Sequence, residues 1–301
     1  MADGKNYRVC VVGLGTMGMG AAVSCIKAGL ETYGADIMEA NRKRLAEHGA
    51  AGTAGSAREF ADRLDAVMVL VVNAKQMRDV LFGVDGLADA LKPGTVVVMS
   101  STMSPDDARS IGAMLEERKL LVLDAPVSGG AAKAAIGEMT VMASGNKDAF
   151  ERARPLLDAV AVKVYEIGTE LGLGATVKVI HQLLAGVHIA AGAEAMALAA
   201  RAGIPLELMY DVVTHAAGNS WMFENRMKHV VDGDYTPLSK VDIFVKDLGL
   251  VTETGRSLKF PLPLASTALG MFTNASNSGH GDEDDSAVIK IFSGVTLPEK
   301  K

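Results

Sequence analysis

The stretch RVCVVGLGTMG, residues 8–18, places a run of branched apolar residues directly before a glycine-rich turn. Gly13, Gly15 and Gly18 follow the spacing G-x-G-x-x-G, and their position between a strand-like run and a helix-like run favours a dinucleotide-binding βαβ unit. Gly13 permits a tight turn, Gly15 lets the backbone approach a pyrophosphate, and Gly18 lets helix and strand pack closely. The alternative is a glycine-rich turn with a structural role only. The predicted cofactor contacts are Gly13, Leu14, Gly15, Thr16, Met17 and Gly18.

Asp36 stands at the end of the second predicted strand, close to the distance of about 20 residues after the third glycine at which such units carry an acidic residue. Its carboxylate would bind the ribose diol of NAD and repel the additional phosphate of NADP. The basic residues at positions 42–44 allow the opposite interpretation, although they also suit a solvated helix face. The sequence therefore predicts NAD as the cofactor.

Outward from this unit, short β-branched runs alternate with Ala-rich segments as far as Gly168, a pattern typical of a doubly wound parallel sheet. The predicted strands are 8–12, 32–35, 66–72, 95–99, 121–124, 139–143 and 163–167. Beyond Gly172 the pattern is helical throughout. The predicted helices there are 175–202, 205–217, 220–231, 241–257, 263–276 and 285–292. We expect an α/β Rossmann domain at 1–172, followed by an all-α substrate and oligomerisation domain at 173–301.

Composition narrows the function classes. The chain has 301 residues and a net charge of −6, and its basic residues form no concentrated patch, so a nucleic-acid partner is not expected. Cys10 and Cys25 lie in apolar surroundings without ligand or disulfide spacing, which favours a reducing compartment and a cytoplasmic protein. No uninterrupted apolar run approaches about 18 residues, so no membrane partner is expected.

The segment Ser128-Gly129-Gly130 follows a predicted strand, and its small residues present backbone N–H groups of the kind that form anion-binding nests. A nest suits the carboxylate of a substrate. The alternative is a turn directed by the preceding proline, with no ligand.

Lys178 lies near the start of a helix that is apolar nearly all round. Desolvation disfavours the charged form of an amine, and a neutral amine is the base that alcohol oxidation requires. The alternative is a surface lysine that extends its ammonium group to water. His181 and Gln182, three and four residues on, share the helix face of Lys178 and are candidate substrate contacts.

Together with the glycine loop, these motifs resemble the β-hydroxyacid dehydrogenase family, which includes 3-hydroxyisobutyrate dehydrogenase and tartronate semialdehyde reductase. The residues that carry the resemblance are 13–18, Ser101-Thr102, 124–130, Gly174, Lys178, Lys246-Asp247 and 285–287. The resemblance implies that Lys178 is the catalytic acid and base and that Ser128, Gly129 and Gly130 hold the substrate carboxylate. It adds Thr102 and Lys246 as cofactor contacts, and we assign Asn73 to the same group. Family members are commonly dimers or tetramers.

The sequence departs from the family's common pattern at two places. Many members have Asp where Met99 stands, and most have Asn where this chain has His181-Gln182. Two polar side chains on the face of Lys178 favour a four-carbon polyhydroxy acid as substrate. The alternatives are 3-hydroxyisobutyrate oxidation, tartronate semialdehyde reduction, an imine reductase and an NAD sensor without chemistry.

No metal is predicted. The acidic run at 282–285 stands directly before an apolar helix-like segment, where carboxylates cap the positive end of the helix dipole, so capping is favoured over a metal site. The resulting expectation is an NAD-dependent dehydrogenase of a small hydroxy acid that forms a homodimer or homotetramer.

Overall fold

The computed structural model of the protein describes residues 7–300. The chain divides into two compact units, Met1–Lys178 and Val179–Lys301. A single helix, α7 (Leu173–Arg201), runs through the division.

The described residues of the first unit form one nine-stranded sheet in the order β3-β2-β1-β4-β5-β6-β8-β7, with β9 paired to β8. The strands are β1 (Arg8–Val12), β2 (Glu31–Ala35), β3 (Gly52–Ala54), β4 (Ala66–Val69), β5 (Val96–Met99), β6 (Leu121–Asp124), β7 (Val127–Ser128), β8 (Met139–Ser144) and β9 (Ala161–Gly168). The helices are α1 (Thr16–Lys27), α2 (Glu39–Glu47), α3 (Ala74–Phe82), α4 (Pro105–Glu116), α5 (Gly130–Ala135) and α6 (Lys147–Val160).

The predicted Rossmann sheet is confirmed, with differences in detail. Strands β1 to β6 pair in parallel, whereas β8 runs antiparallel to β6 and β7. The predicted strand 66–72 ends at Val69, because the N–H of Val71 bonds to Ser101 Oγ (3.0 Å) and the N–H of Val72 to Gln76 Oε1 (2.9 Å) instead of a neighbouring strand. Strands β3 and β7 were not predicted, since two or three residues are too few to establish a period.

The apolar side chains of the central strands point alternately to the two faces of the sheet and contribute to a buried core on each face. In β1, Val9 and Val11 belong to one buried cluster, and Cys10 and Val12 belong to the other. Successive side chains of a strand point to opposite faces, so a fully apolar strand requires cover on both. Cys10 and Cys25 are buried free thiols.

The described residues of the second unit are helical, and the predicted all-α pattern is confirmed. The helices after α7 are α8 (Leu206–Thr214), α9 (Trp221–Asp232), α10 (Val241–Ser257) and α11 (Pro263–Ala275), followed by a π-helical turn (Ser276–His280) and a 3-10 helix (Asp285–Ile291). Asp284 Oδ1 accepts the N–H of Ser286 at the start of the 3-10 helix, so the predicted capping role is confirmed at that residue.

Helix α7 is long and apolar enough, by length and composition alone, to cross a membrane. Half of its most apolar window is buried inside the protein, as in the core helix of a globular domain. Ile189, Ala193 and Met196 are fully buried in the core of the second unit, together with side chains from α9, α10 and α11. Polar residues such as Lys178, Gln182 and His188 interrupt the apolar sequence of α7, so this helix contains no uninterrupted apolar run of about 18 residues.

Candidate active site

The glycine loop after β1 has the geometry that its spacing predicts. Gly13 has φ +88°, and a Cβ there would lie 2.4 Å from the carbonyl oxygen of Leu70. A Cβ at Gly18 would lie 1.7 Å from the carbonyl oxygen of Gly13, so α1 packs directly on the turn. At Gly15, by contrast, a Cβ would meet no described atom within 4 Å. The loop therefore has two glycines fixed by packing and one beside open space, which suits a bound pyrophosphate.

Asp36, directly after β2, is bonded to the glycine loop itself. Its Oδ2 accepts the N–H of Leu14 at 2.7 Å and an N–H of Asn41 at 3.2 Å, while Oδ1 accepts the N–H of Met38 at 2.7 Å. A carboxylate has about four lone-pair sites, so acceptor capacity is left for a ribose diol. Arg42 donates from Nη1 to the carbonyl oxygens of Asp36 (2.7 Å) and Ile37 (3.0 Å). That guanidinium is therefore engaged by the backbone.

The two cofactor candidates after β4 and β5 lie at the same edge of the sheet, because the carboxyl ends of parallel strands meet there. Asn73 Oδ1 accepts the N–H of Gln76 at 2.9 Å and caps α3. Thr102 is partly buried and follows Ser101, whose hydroxyl accepts the N–H of Val71. The first unit thus brings the glycine loop, Asp36, Asn73 and Thr102 to one edge, the position at which open α/β sheets bind ligands.

The predicted carboxylate nest begins in β7. Ser128 pairs with Thr140 of β8 in the sheet register. Gly129 has φ +130° and Gly130 φ +66°, conformations that L side chains rarely adopt. A Cβ at Gly130 would meet no described atom within 4 Å. Both glycines therefore hold backbone conformations that a Cβ would strain, and at Gly130 the backbone lies beside open space.

Lys178 lies in α7 and is only 6% exposed, so the interpretation as a solvated surface lysine is wrong. The start of its helix is bonded to the sheet. Asp124 Oδ2, at the end of β6, accepts the N–H groups of Gly172 (3.0 Å) and Ala175 (2.8 Å). Ser144 Oγ, at the end of β8, accepts the N–H of Gly174 at 3.1 Å. These bonds satisfy N–H groups that a helix start leaves unpaired.

The carboxyl of Asp124 is 1% exposed. Burial raises its pKa to about 6, and the N–H donors of Ala175 and Gly172 oppose that rise. Sequence reasoning placed Asp124 in a motif without giving it a role, because the N–H groups that it accepts lie 48 and 51 residues further along the chain. The available signal was a carboxylate at a strand end, which alone does not identify its partner.

In the second unit, a chain of polar side chains joins α7 to α10, and its two central members, Gln182 and Asp247, are buried. Gln182 Nε2 donates to Asp247 Oδ2 at 2.6 Å, and Gln182 Oε1 lies 3.0 Å from His181 Nδ1. Asp247 Oδ1 lies 2.8 Å from Lys246 Nζ. Asp247 is 2% exposed, so the alternative of a charge pair on a solvated face is wrong for this residue. The chain links His181, Gln182 and Lys246 through a carboxylate that the sequence analysis had not assigned to the site.

Among residues 7–300, no three or more His, Cys, Asp or Glu side chains are grouped so that they could hold a metal ion. The site chemistry described above consists of backbone N–H groups, a buried amine, an imidazole, amides and carboxylates.

Two family models match the chain, one in each half. Residues 8–168 match a model described as the NAD-binding domain of 6-phosphogluconate dehydrogenase. Residues 172–292 match a model described as the NAD-binding domain of NADP-dependent 3-hydroxyisobutyrate dehydrogenase.

Similar proteins are known over the full length. L-Threonate dehydrogenase of Pectobacterium atrosepticum is 69% identical over 301 residues, which are 100% of this chain and 99% of that protein. L-Threonate dehydrogenase of Escherichia coli K12 is 67% identical over 301 residues, 100% of both chains. A crystal structure described as 3-hydroxyisobutyrate dehydrogenase from Salmonella typhimurium is 68% identical, with a TM-score of 0.92 over 95% of this chain and 100% of that chain.

Proposed function

The chain belongs to the β-hydroxyacid dehydrogenase family of 3-hydroxyisobutyrate dehydrogenase-like proteins, and from this premise we propose that it oxidises L-threonate to 2-dehydro-L-erythronate with NAD. The substrate assignment rests on the sequence identity of 69% and 67%, over the whole chain, to two L-threonate dehydrogenases. A second candidate is 3-hydroxyisobutyrate, which is favoured by the description of the Salmonella typhimurium structure. Tartronate semialdehyde reduction is a third.

The cofactor is assigned to the sheet edge of the first unit. Gly15 leaves room for a pyrophosphate, and Asp36 keeps acceptor capacity for the ribose diol after bonding to Leu14. Asn73 and Thr102 complete the proposed set at this edge, and Lys246 is proposed as a further cofactor contact from the sequence motif that it belongs to. In this assignment residues 1–172 serve as the NAD-binding domain, and residues 173–301 serve for substrate binding and oligomerisation.

The substrate carboxylate is assigned to Ser128, Gly129 and Gly130. The open space at Gly130 supports access for a ligand to the backbone of this loop. An anion held by backbone N–H groups and a hydroxyl requires no cationic side chain. The same loop would serve any small hydroxy acid, so it fixes orientation and leaves the choice among substrates to other residues.

Lys178 is assigned the proton transfer. NAD, held by the glycine loop and Asp36, would supply the acceptor for the hydride of the oxidised carbon. The hydroxyl proton passes to Lys178 Nζ as the C=O bond forms, and the reverse reaction returns it. The burial of Lys178 supports this role, because it keeps the amine away from bulk solvent on the segment that is bonded to the strand ends.

The choice of a polyhydroxy acid is supported by the polar chain of His181, Gln182 and Asp247. The amide of Gln182 has two N–H donors and two acceptor lone pairs, more than these two bonds use, and a substrate with further hydroxyls would engage that capacity where the methyl group of 3-hydroxyisobutyrate would not. The oxidised carbon is proposed to be C2, which gives a 2-oxo acid.

The decisive experiment measures kcat/KM with NAD for L-threonate, D-erythronate, D-glycerate and 3-hydroxyisobutyrate. We expect L-threonate to have the highest value. Lys178→Ala should lower kcat by about 10²- to 10⁴-fold while NADH still binds, and Lys147→Ala, at an exposed side chain of α6, serves as the control. A clear preference for 3-hydroxyisobutyrate would overturn the substrate assignment, and near-normal kcat in Lys178→Ala would overturn the catalytic role.

We also propose that the protein is a cytoplasmic homodimer or homotetramer. The two buried free thiols support a reducing compartment. Exposed apolar side chains on α7, among them Leu184 and Leu198, support association with a second copy of the chain.

A further inference from the structure

The carboxylate of Asp124 connects the two parts of the first unit to which chemistry is assigned. Along the chain, Asp124 lies four residues before Ser128, where the proposed substrate loop begins. Across space, its Oδ2 accepts the N–H of Ala175, three residues before Lys178. The path from the substrate loop to the lysine through this bond is therefore much shorter than the path along the intervening chain.

Close packing at the same junction limits how far the helix start can move. A Cβ at Gly174 would lie 2.4 Å from the carbonyl oxygen of Asp124 and 2.6 Å from that of Met142. The first turn of α7 thus rests directly on the backbone of β6 and β8. A side chain at position 174 would push the helix away from the strands. The close approach of Gly174 and the hydrogen bonds to Asp124 and Ser144 therefore fix the distance between the first turn of α7 and the ends of β6 and β8.

The two oxygens of this carboxylate have opposite surroundings. Oδ2 accepts two N–H groups at the start of a 29-residue helix and the hydroxyl of Ser144 (3.4 Å). Its other oxygen, Oδ1, is buried without a hydrogen-bond partner in the described part of the chain. A buried oxygen without a hydrogen-bond partner destabilises the folded state, and a smaller capping side chain such as Ser would avoid that destabilisation. Helix capping alone therefore does not account for a carboxylate at this position.

We propose that Asp124 is a positioning residue, whose carboxylate holds the first turn of α7 so that Lys178 stands in register with the substrate loop at Ser128. This inference rests on the proposed function, in which Lys178 moves the proton. Asp124 itself touches neither substrate nor cofactor in this assignment. Its removal should therefore affect the chemical step and leave cofactor binding intact, since Asp36 and the glycine loop stand on other strands.

The test compares Asp124→Ala, Asp124→Asn and Ser144→Ala. Displacement of a catalytic group by about 1 Å can cost on the order of 10²-fold in rate. We expect Asp124→Ala to lower kcat for the hydroxy acid about 10- to 100-fold and to leave the Kd for NADH within about twofold. Asp124→Asn keeps an acceptor oxygen and should recover kcat to within about threefold to fivefold of wild type. Ser144→Ala removes the bond from the N–H of Gly174 and the weaker one to Asp124 but keeps the carboxylate, and we expect an intermediate loss.

The matched control is Asn146→Ala. Asn146 Oδ1 accepts the N–H of Ala149 at 2.8 Å and caps α6, a helix that carries no proposed site residue. Loss of this cap should leave kcat within about twofold of wild type. An equal loss of kcat in Asn146→Ala and Asp124→Ala would overturn the proposal, because any loosened helix start would then suffice.

Hydrogen exchange gives a readout that needs no turnover. In Asp124→Ala, amide exchange should accelerate at residues 172–178 and stay unchanged in α1 and α6. If wild type oxidises no hydroxy acid, the proposed function fails, and the exchange pattern still decides whether Asp124 holds α7. Unchanged exchange at 172–178, wild-type kcat in Asp124→Ala, or a parallel loss of NADH binding would each overturn the inference. If Asp124→Ala does not fold, Ser144→Ala is judged by the same criteria.

Discussion

At the scale of single residues, the carboxylate of Asp36 has one structural role and one proposed role in cofactor binding. It holds the glycine loop through the N–H of Leu14, and we assign to it the ribose diol of NAD. We predict that Asp36→Ala raises the KM for NAD about 10- to 100-fold, the range that lost hydrogen bonds to a charged group produce, and relaxes discrimination against NADP. Initial rates with both cofactors measure the effect.

Asp36→Asn separates the two roles. The amide oxygen still accepts the N–H of Leu14, while the charge that repels a phosphate is gone. We expect the ratio of NADP to NAD efficiency to rise in this variant, with a smaller change in the KM for NAD. Asp62→Ala, at a largely exposed side chain, is the control. An unchanged ratio in both Asp36 variants would show that this carboxylate does not face the ribose.

The burial of Asp124 makes a second prediction at this scale. Burial raises the pKa of Asp124 to about 6, above its usual value of 3.8 in an unfolded chain. The folded protein therefore binds a proton on Asp124 more tightly than the unfolded chain does. The stabilisation that this proton gives is complete below about pH 4 and is lost as the pH rises through about 6. Relative to Asp124→Asn, the free energy of unfolding of wild type should fall by about 3 kcal/mol from pH 3.5 to pH 7.5.

Urea unfolding of both proteins across this pH range measures the difference. Asp285, whose pKa burial raises to about 7, titrates in both proteins and cancels. A difference that stays constant, or that grows with pH, would contradict the prediction.

Residue-level reasoning from the sequence succeeded where the physics is local. The requirement for glycine at positions 13 and 18 follows from a tight turn and a close helix, and the structure has both. It did not identify the roles of Asp124 and Asp247, because their partners lie tens of residues away and are brought to them only by the completed fold. An alternating or helical period carries no information about such pairs.

At the scale of elements, long periodic helices were predicted well, and short elements were not. Helix α10 has its predicted bounds, Val241–Ser257, because an amphipathic period of this length is unambiguous. The segment at 285–291 forms a 3-10 helix where a helix to 292 was predicted. Its seven residues are too few for a sequence period to separate the two helix types.

The end of α4 offers a test of backbone strain. Lys119 adopts φ +60° just beyond the helix, where the N–H of Leu120 bonds back to the carbonyl oxygen of Leu115 at 3.3 Å. A side chain is disfavoured in this left-handed conformation, and glycine is the usual residue there. We predict that Lys119→Gly raises the free energy of unfolding by about 0.5–1 kcal/mol, after allowance for the greater freedom of glycine in the unfolded chain.

Lys119→Ala is the matched control, since it removes the charge and the long side chain but keeps the Cβ. Its free energy of unfolding should stay near that of wild type. Equal stabilisation by Ala and Gly would show that the effect comes from removing the charge of Lys119. Destabilisation by Gly would show that the left-handed conformation at this position carries no strain. Equilibrium urea unfolding of the three proteins decides between these results.

At the scale of the whole molecule, α7 presents a surface that one chain does not cover. Leu184, Ala191 and Leu198 are exposed and stand seven residues apart, so they share one face of the helix. Helices commonly pair through apolar positions that repeat at this spacing, and a two-fold axis would place the same face of a second copy against it. The face therefore supports the proposed homo-oligomer.

We predict that Leu198→Glu shifts the protein from an oligomer to a monomer, because it would place a charge within a desolvated interface. Light scattering behind size-exclusion chromatography, at several concentrations, measures the mass. Val84→Glu is the control, since Val84 is a fully exposed apolar residue on the first unit and its replacement should leave the mass unchanged. A monomeric wild type, or a Leu198→Glu protein of wild-type mass, would show that this face of α7 is not where the copies meet.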